Sequence, residues 1–192
     1  MGQITWEQLF DDKINAPQKS FASGNTVHTE LETYSSPPIG GFTPVFSFKS
    51  SPIATYTENL YLEFDISGVA SGGNTISMYG MHIGLGDSEL ANQLANISDF
   101  YASVGRQSHD RYDASLNGTF VVLGNWSSST QSKLVIVKQS NKVSLFIYNQ
   151  NYRGFTSVTL NNNNNNMSLY ATGYYKTFND NQTYTLLRAY KF

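Results

Sequence analysis

The sequence predicts an all-β fold, an antiparallel β-sandwich preceded by one short N-terminal helix. Three observations carry that expectation. Apolar and polar residues alternate with a period of two over most of the chain, as strands with one buried face require. Turn residues separate about ten such runs, and no long helical patterns lie between them. The composition is that of a β-rich protein: 14% aromatic, with 13 Tyr and 12 Phe, residue types that favour strands. At 192 residues the chain fits one ordinary domain, 1–192, long enough to bury a full core.

Taken in order, the first element is the expected helix. Thr5-Trp6-Glu7-Gln8 has the capping-box form, with Thr5 as N-cap and Gln8 three residues on. Ile4 and Leu9 stand at the staple positions, and Pro17 stops the segment at Ala16. Strands are then expected at Thr26–Tyr34, Phe42–Lys49 and Tyr56–Ser67. The last of these is the clearest: Leu60, Leu62, Phe64 and Ile66 alternate with Tyr61, Glu63, Asp65 and Ser67. Gly68 and Gly72-Gly73-Asn74 predict turns, and Thr75–Leu85 the next strand, whose glycines permit bulging or close packing. A second short helix is read at Ser88–Ala95. Further strands are expected at Phe100–Val104, Thr119–Leu123, Lys133–Lys138, Lys142–Tyr148, Phe155–Leu160, Met167–Thr172 and Tyr184–Tyr190. Gln139-Ser140-Asn141 joins two of them as a tight hairpin, and the asparagine run 161–166 reads as a loop.

Composition also removes function classes. A net charge of −2 and no basic run leave no electrostatic footprint for nucleic acid or an anionic membrane surface. No stretch of about 18 apolar residues exists to cross a bilayer as a helix. The absence of cysteine excludes disulfides, thiolate catalysis and cysteine-based zinc sites. His28, His82 and His109 are scattered, and no ordered acidic spacing marks a calcium loop, so no metal and no cofactor is expected. Charged residues make up only 14% of the chain, against about 25% in a typical domain. Asn, Ser and Thr fill the difference, 58 of 192 residues.

The polar chemistry is concentrated in a few places. Gly105 to Asp113 holds Arg106, Asp110, Arg111, Tyr112 and Asp113 within nine residues. Guanidinium and carboxylate groups take sugar hydroxyls by paired hydrogen bonds, and an aromatic face covers the apolar side of a pyranose. Trp126 follows the strand at Thr119–Leu123 and offers a second platform. Asn149 and Tyr152 combine an amide with an aromatic ring on another loop. Glu63 and Asp65 sit in a row on one strand face, but Ser67 occupies the place of a third acid. That row therefore predicts no glycosidase, and no Gly-x-Ser-x-Gly elbow is present.

Leu134–Val137 and Lys142–Asn149 resemble the central hairpin of concanavalin A-like and laminin G-like sandwiches. Tyr56–Ile66 is similar to a strand of jelly-roll carbohydrate-binding modules. In its lack of cysteine and its wealth of Asn, Ser, Thr and Tyr, the chain resembles carbohydrate-binding modules of phage tail and baseplate proteins, such as evolved distal tail proteins of lactic-acid-bacteria phages. The resemblance implies a module excised from a larger tail protein that binds the cell-wall polysaccharide of a Gram-positive host without catalysis. Its location would be the virion tail, acting outside the host cell. The competing expectations are a glycan-cleaving enzyme on a jelly-roll scaffold and a purely structural tail or adhesin domain.

Overall fold

A computed structural model describes residues 2–12, 18–31, 44–71, 81–89, 100–108, 111–125, 131–150, 152–161, 166–174 and 179–192. Fourteen strands are found among them: β1 (Trp6–Asp11), β2 (Gln18–Ser23), β3 (Thr26–Leu31), β4 (Pro44–Ser50), β5 (Leu60–Ser71), β6 (Met81–Asp87) and β7 (Phe100–Ser108). The remainder are β8 (Arg111–Leu116), β9 (Thr119–Asn125), β10 (Ser132–Gln139), β11 (Lys142–Tyr148), β12 (Arg153–Thr159), β13 (Met167–Tyr174) and β14 (Asn179–Lys191). They form two seven-stranded sheets. The first has the order β1-β4-β13-β6-β7-β8-β9, the second β12-β11-β10-β5-β14-β3-β2. Every neighbouring pair is antiparallel.

The alternation read from the sequence defines the core. Leu60, Leu62, Phe64 and Ile66 of β5, Leu134 and Ile136 of β10, and Val143, Leu145 and Ile147 of β11 all point inward. They meet Met81, Ile83 and Leu85 of β6 and Leu169 and Ala171 of β13 from the other sheet. The hairpin between β10 and β11 is as expected, with Gln139 opposite Lys142. The glycine-rich strand is found as β6 from Met81, while the expected Thr75–Gly80 part lies outside the described residues. β6 carries an irregularity at Leu85/Gly86, and Gly84 lies so close to Ala102 and Ser103 of β7 that no β-carbon fits.

The expected N-terminal helix is not formed. Residues 6–11 are strand β1, paired with β4 from Trp6 opposite Ser50 to Asp11 opposite Phe46. The Trp6 indole N–H donates to the Gly24 carbonyl at 2.8 Å, which ties the first sheet's edge to the β2–β3 turn. A helix this short is marginal in water, so pairing with the free edge of β4 outweighs the local capping signal. No helix occurs among the described residues. The expected helix at Ser88–Ala95 lies outside them except for Ser88 and Glu89, which form a turn. β2 and β8 were not anticipated: Gln18–Ser23 carries little apolar alternation, whereas Arg111–Leu116 alternates strictly but follows directly on a charged stretch that reads as one polar segment.

The two sheets differ in their outer faces. On the first sheet that face is a buried, largely polar layer in which Tyr170, Tyr174 and His82 stand among serine and threonine side chains. Ser47 and Thr172 are hydrogen-bonded at 3.1 Å, and His82 Nδ1 lies 3.0 Å from the Ser103 hydroxyl. Burial pushes the His82 imidazole down to about 3, so it is neutral at physiological pH. On the second sheet the outer face is open, and large aromatic side chains stand on it.

Candidate functional site

The open face is set by register. Reading across β12, β11, β10, β5 and β14, one row is Arg153, Tyr148, Lys133, Asp65 and Thr185. The next is Phe155, Phe146, Val135, Glu63 and Arg188. A third holds Ser157, Ser144, Val137, Tyr61 and Tyr190. Two depressions lie on these rows. An apolar one of about 650 Å³ is lined by Tyr61, Val135, Val137, Phe146, Tyr148 and Phe155, among others. A more polar one of about 480 Å³ is lined by Asp65, Gln131, Ser132, Lys133, Tyr148, Asn149 and Gln150. Tyr148 belongs to both.

Aromatic pairs shape the floor. Tyr61 and Tyr190 stack with ring centroids 4.8 Å apart and planes at 17°, and Phe146 and Phe155 lie at the same separation, tilted. Phe155 is 56% exposed and Tyr190 48%. An aromatic face with polar groups at its rim suits a ligand with flat apolar patches and hydroxyls at its edges.

Glu63 occupies the middle. One carboxylate oxygen accepts from Lys133 Nζ at 3.1 Å. The other accepts from the Tyr61 hydroxyl at 3.2 Å and lies 3.7 Å from Arg188 Nε. The Lys133 hydrogen bond, with those of its neighbours, holds the Glu63 carboxyl below its ordinary value of 4.5 despite burial. The stability from this network is present above that ordinary value and is lost as pH falls through the lower folded-state value. Thermal melts from about pH 6 down to about pH 3 should therefore show a steeper loss in the native chain than in Glu63→Gln. Parallel curves would mean that the network contributes nothing. Asp65, in the adjoining row, accepts from Gln131 Nε2 at 2.5 Å.

The sequence-predicted residues divide. Asn149 lines the polar depression, and its side chain accepts from the Tyr152 backbone N–H at 2.9 Å. The Tyr152 ring lies over Gly124 of β9, in the space a β-carbon would need, and is 38% exposed. Gly124 pairs with Tyr112, and Arg111 with Asn125, while Arg106 is opposite Tyr112 across β7 and β8. The fold thus brings the described strand residues Arg106, Arg111 and Tyr112 to the same end of the sandwich as Tyr152. Asp110 and Trp126 lie outside the described residues, although Trp126 directly follows Asn125. Of the nine-residue segment read as one polar loop, Gly105–Ser108 proves to be the end of β7 and Arg111–Asp113 the start of β8. Strand alternation there sends Tyr112 into the core and buries Asp113 on the opposite face, 1% exposed, so the Tyr112 ring presents no face to a ligand.

Sequence reasoning missed Tyr148, Phe146, Phe155 and the Tyr61–Tyr190 pair. A signal existed in β11, where Val143, Leu145 and Ile147 fill the core phase while aromatic residues occupy the other phase. An aromatic on the solvent phase of a strand marks a surface that meets something.

No family model matches the sequence, and no curated protein sequence does. Solved structures do match the fold. The lectin I-B4 from Griffonia simplicifolia, in metal-free form, superposes with a TM-score of 0.59 at 8% identity, over 98% of this chain and 99% of that one. A lectin from Bauhinia forficata in complex with GalNAc gives 0.58 at 11%, over 95% and 90%. A sialidase gives 0.56 at 12% over 96% of this chain but only 17% of its own length. At these identities the likeness is one of fold: the chain is a lectin-like β-sandwich.

Proposed function

We propose that the protein binds polysaccharide without cleaving it, through the open face of the second sheet and the adjoining Asn149–Tyr152 loop. The observation that carries this reading is the pair of depressions sharing Tyr148, one aromatic and one lined by amides and charges. The finer reading is attachment to the cell-wall polysaccharide of a Gram-positive host from a phage tail or baseplate. It is supported by the compositional resemblance and by a fold shared with lectins. Arg106 and Arg111 remain proposed contacts at the same end of the sandwich, and Trp126, outside the described residues, remains a proposed contact from the sequence alone.

The environment of Glu63 argues against cleavage. A glycosidase acid needs a raised pKa so that it can protonate the leaving oxygen, and Lys133, Tyr61 and Arg188 act in the opposite sense. The spacing of Glu63 and Asp65, roughly 7 Å at Cα for alternate strand residues, would suit such chemistry, so electrostatics rather than distance decides.

Fluorescently labelled protein should bind whole Gram-positive cells and purified wall polysaccharide and release no reducing ends. Tyr148→Ala should weaken binding by about tenfold or more, taking the loss of one aromatic stack at roughly 1–3 kcal/mol. Undiminished binding by folded Tyr148→Ala would remove this face from the site. Reducing ends that vanish in Glu63→Gln would favour the enzyme instead.

A further inference from the structure

The geometry points to a ligand class: an acidic polysaccharide carrying about one carboxylate per two sugars, lying across the strands of the second sheet. The inference rests on reading that face as a glycan site. Its basis is where the cations stand. In the sheet order β12-β11-β10-β5-β14, Arg153 is on β12, Lys133 on β10 and Arg188 on β14, one cation on every second strand. Neighbouring strands are about 4.8 Å apart, so successive cations are separated by roughly 10 Å across the sheet. Tyr148 fills the interval between Arg153 and Lys133, whereas Asp65 and Glu63 stand in the interval between Lys133 and Arg188, with Tyr61 one row beyond Arg188. The ring platform between Arg153 and Lys133 fits an unsubstituted sugar beside a uronic acid held by the exposed guanidinium.

The three rows hold three cations against two anions, Glu63 and Asp65, a local excess of one positive charge in a chain of net charge −2. Availability matters as much as the sum. Arg153 is exposed and makes no ion pair among the described residues. Arg188 touches Glu63 only at 3.7 Å, with its side chain 71% exposed. A guanidinium fork presented in this way grips a carboxylate by two parallel hydrogen bonds. Lys133 is committed to Glu63 and contributes field rather than a free donor.

Hyaluronan, which carries one carboxylate per disaccharide, is the direct probe, with carboxyl-reduced hyaluronan and poly-L-glutamate as controls. Calorimetry at low salt should show binding to hyaluronan alone, weakening as salt screens it. The Arg153→Gln/Arg188→Gln double variant changes two exposed side chains, so it should stay folded and bind about tenfold or more weakly. Equal affinity for native and carboxyl-reduced polymer, or binding of neutral wall glycans that the double variant retains, would overturn the acidic class and leave the glycan site standing. Equal binding of poly-L-glutamate would overturn the role of the sugar rings. Failure to bind any glycan, neutral or acidic, would overturn both readings.

Discussion

Lys138→Met is expected to destabilise the fold by about 3–5 kcal/mol, because three buried carbonyls lose their donor. The Lys138 ammonium is fully buried and donates to three backbone carbonyls, of Tyr56 at 2.5 Å, Glu58 at 2.6 Å and Ser140 at 2.9 Å. It also lies 5.5 Å from the centre of the Tyr56 ring. One side chain thus clamps the segment before β5 to the β10–β11 turn. Methionine fills much of the same volume, so packing loss is small and the cost is that of three carbonyls left without a donor, roughly 1–3 kcal/mol each before relaxation. Burial holds the Lys138 pKa below its ordinary value, and relief of that desolvation offsets part of the sum. For a domain this size the midpoint of thermal unfolding should fall by roughly 6–20 °C. A shift within about 1 kcal/mol in a urea titration would show that water replaces the ammonium freely.

Gly84→Ala is expected to cost about 3 kcal/mol, at the upper end of ordinary overpacking. The added β-carbon would overlap the Ala102 carbonyl oxygen and the Ser103 Cα. Both are backbone atoms of β7, paired with β6, and neither can rotate aside as a side chain would. Relief requires the two strands to separate in the middle of the first sheet. Gly2→Ala is the natural control, because nothing lies within 4 Å of the β-carbon it would add. Equal unfolding midpoints for the two variants would refute the argument.

The legible parts of the fold share one physical property. β5, β10 and β11 each turn one apolar face to the core and a more polar or aromatic face outward, so the inward set is written in their own residues. The Lys142–Tyr148 strand is found at the expected bounds for that reason. β1 was misread because Thr5 to Gln8 carries a local helix signal, and the competing free edge of β4 is some forty residues away. β8 alternates strictly, Tyr112, Ala114 and Leu116 against Arg111, Asp113 and Ser115, and is hidden only because the charged residues just before it make the whole stretch read as a polar segment. Among the predicted binding residues, Asn149 and Tyr152 stood on a true loop, whereas Tyr112 belonged to a strand between two others, where alternation had already committed it to the core.

The sequence by itself determined the class of structure, since without cysteine, and with period-two alternation, only packed sheets can bury these residues. It also determined the inward set of the best strands, because alternation is local. The tertiary structure alone decided the site. Glu63 acquires Lys133 from β10 and Arg188 from β14, and Tyr61 acquires Tyr190, only when β5 is placed between those strands. Sheet order is a matter of long-range pairing. No spacing along the chain encodes it, because backbone hydrogen bonds between strands are the same for every partner, and the choice is made by how all the side chains pack at once.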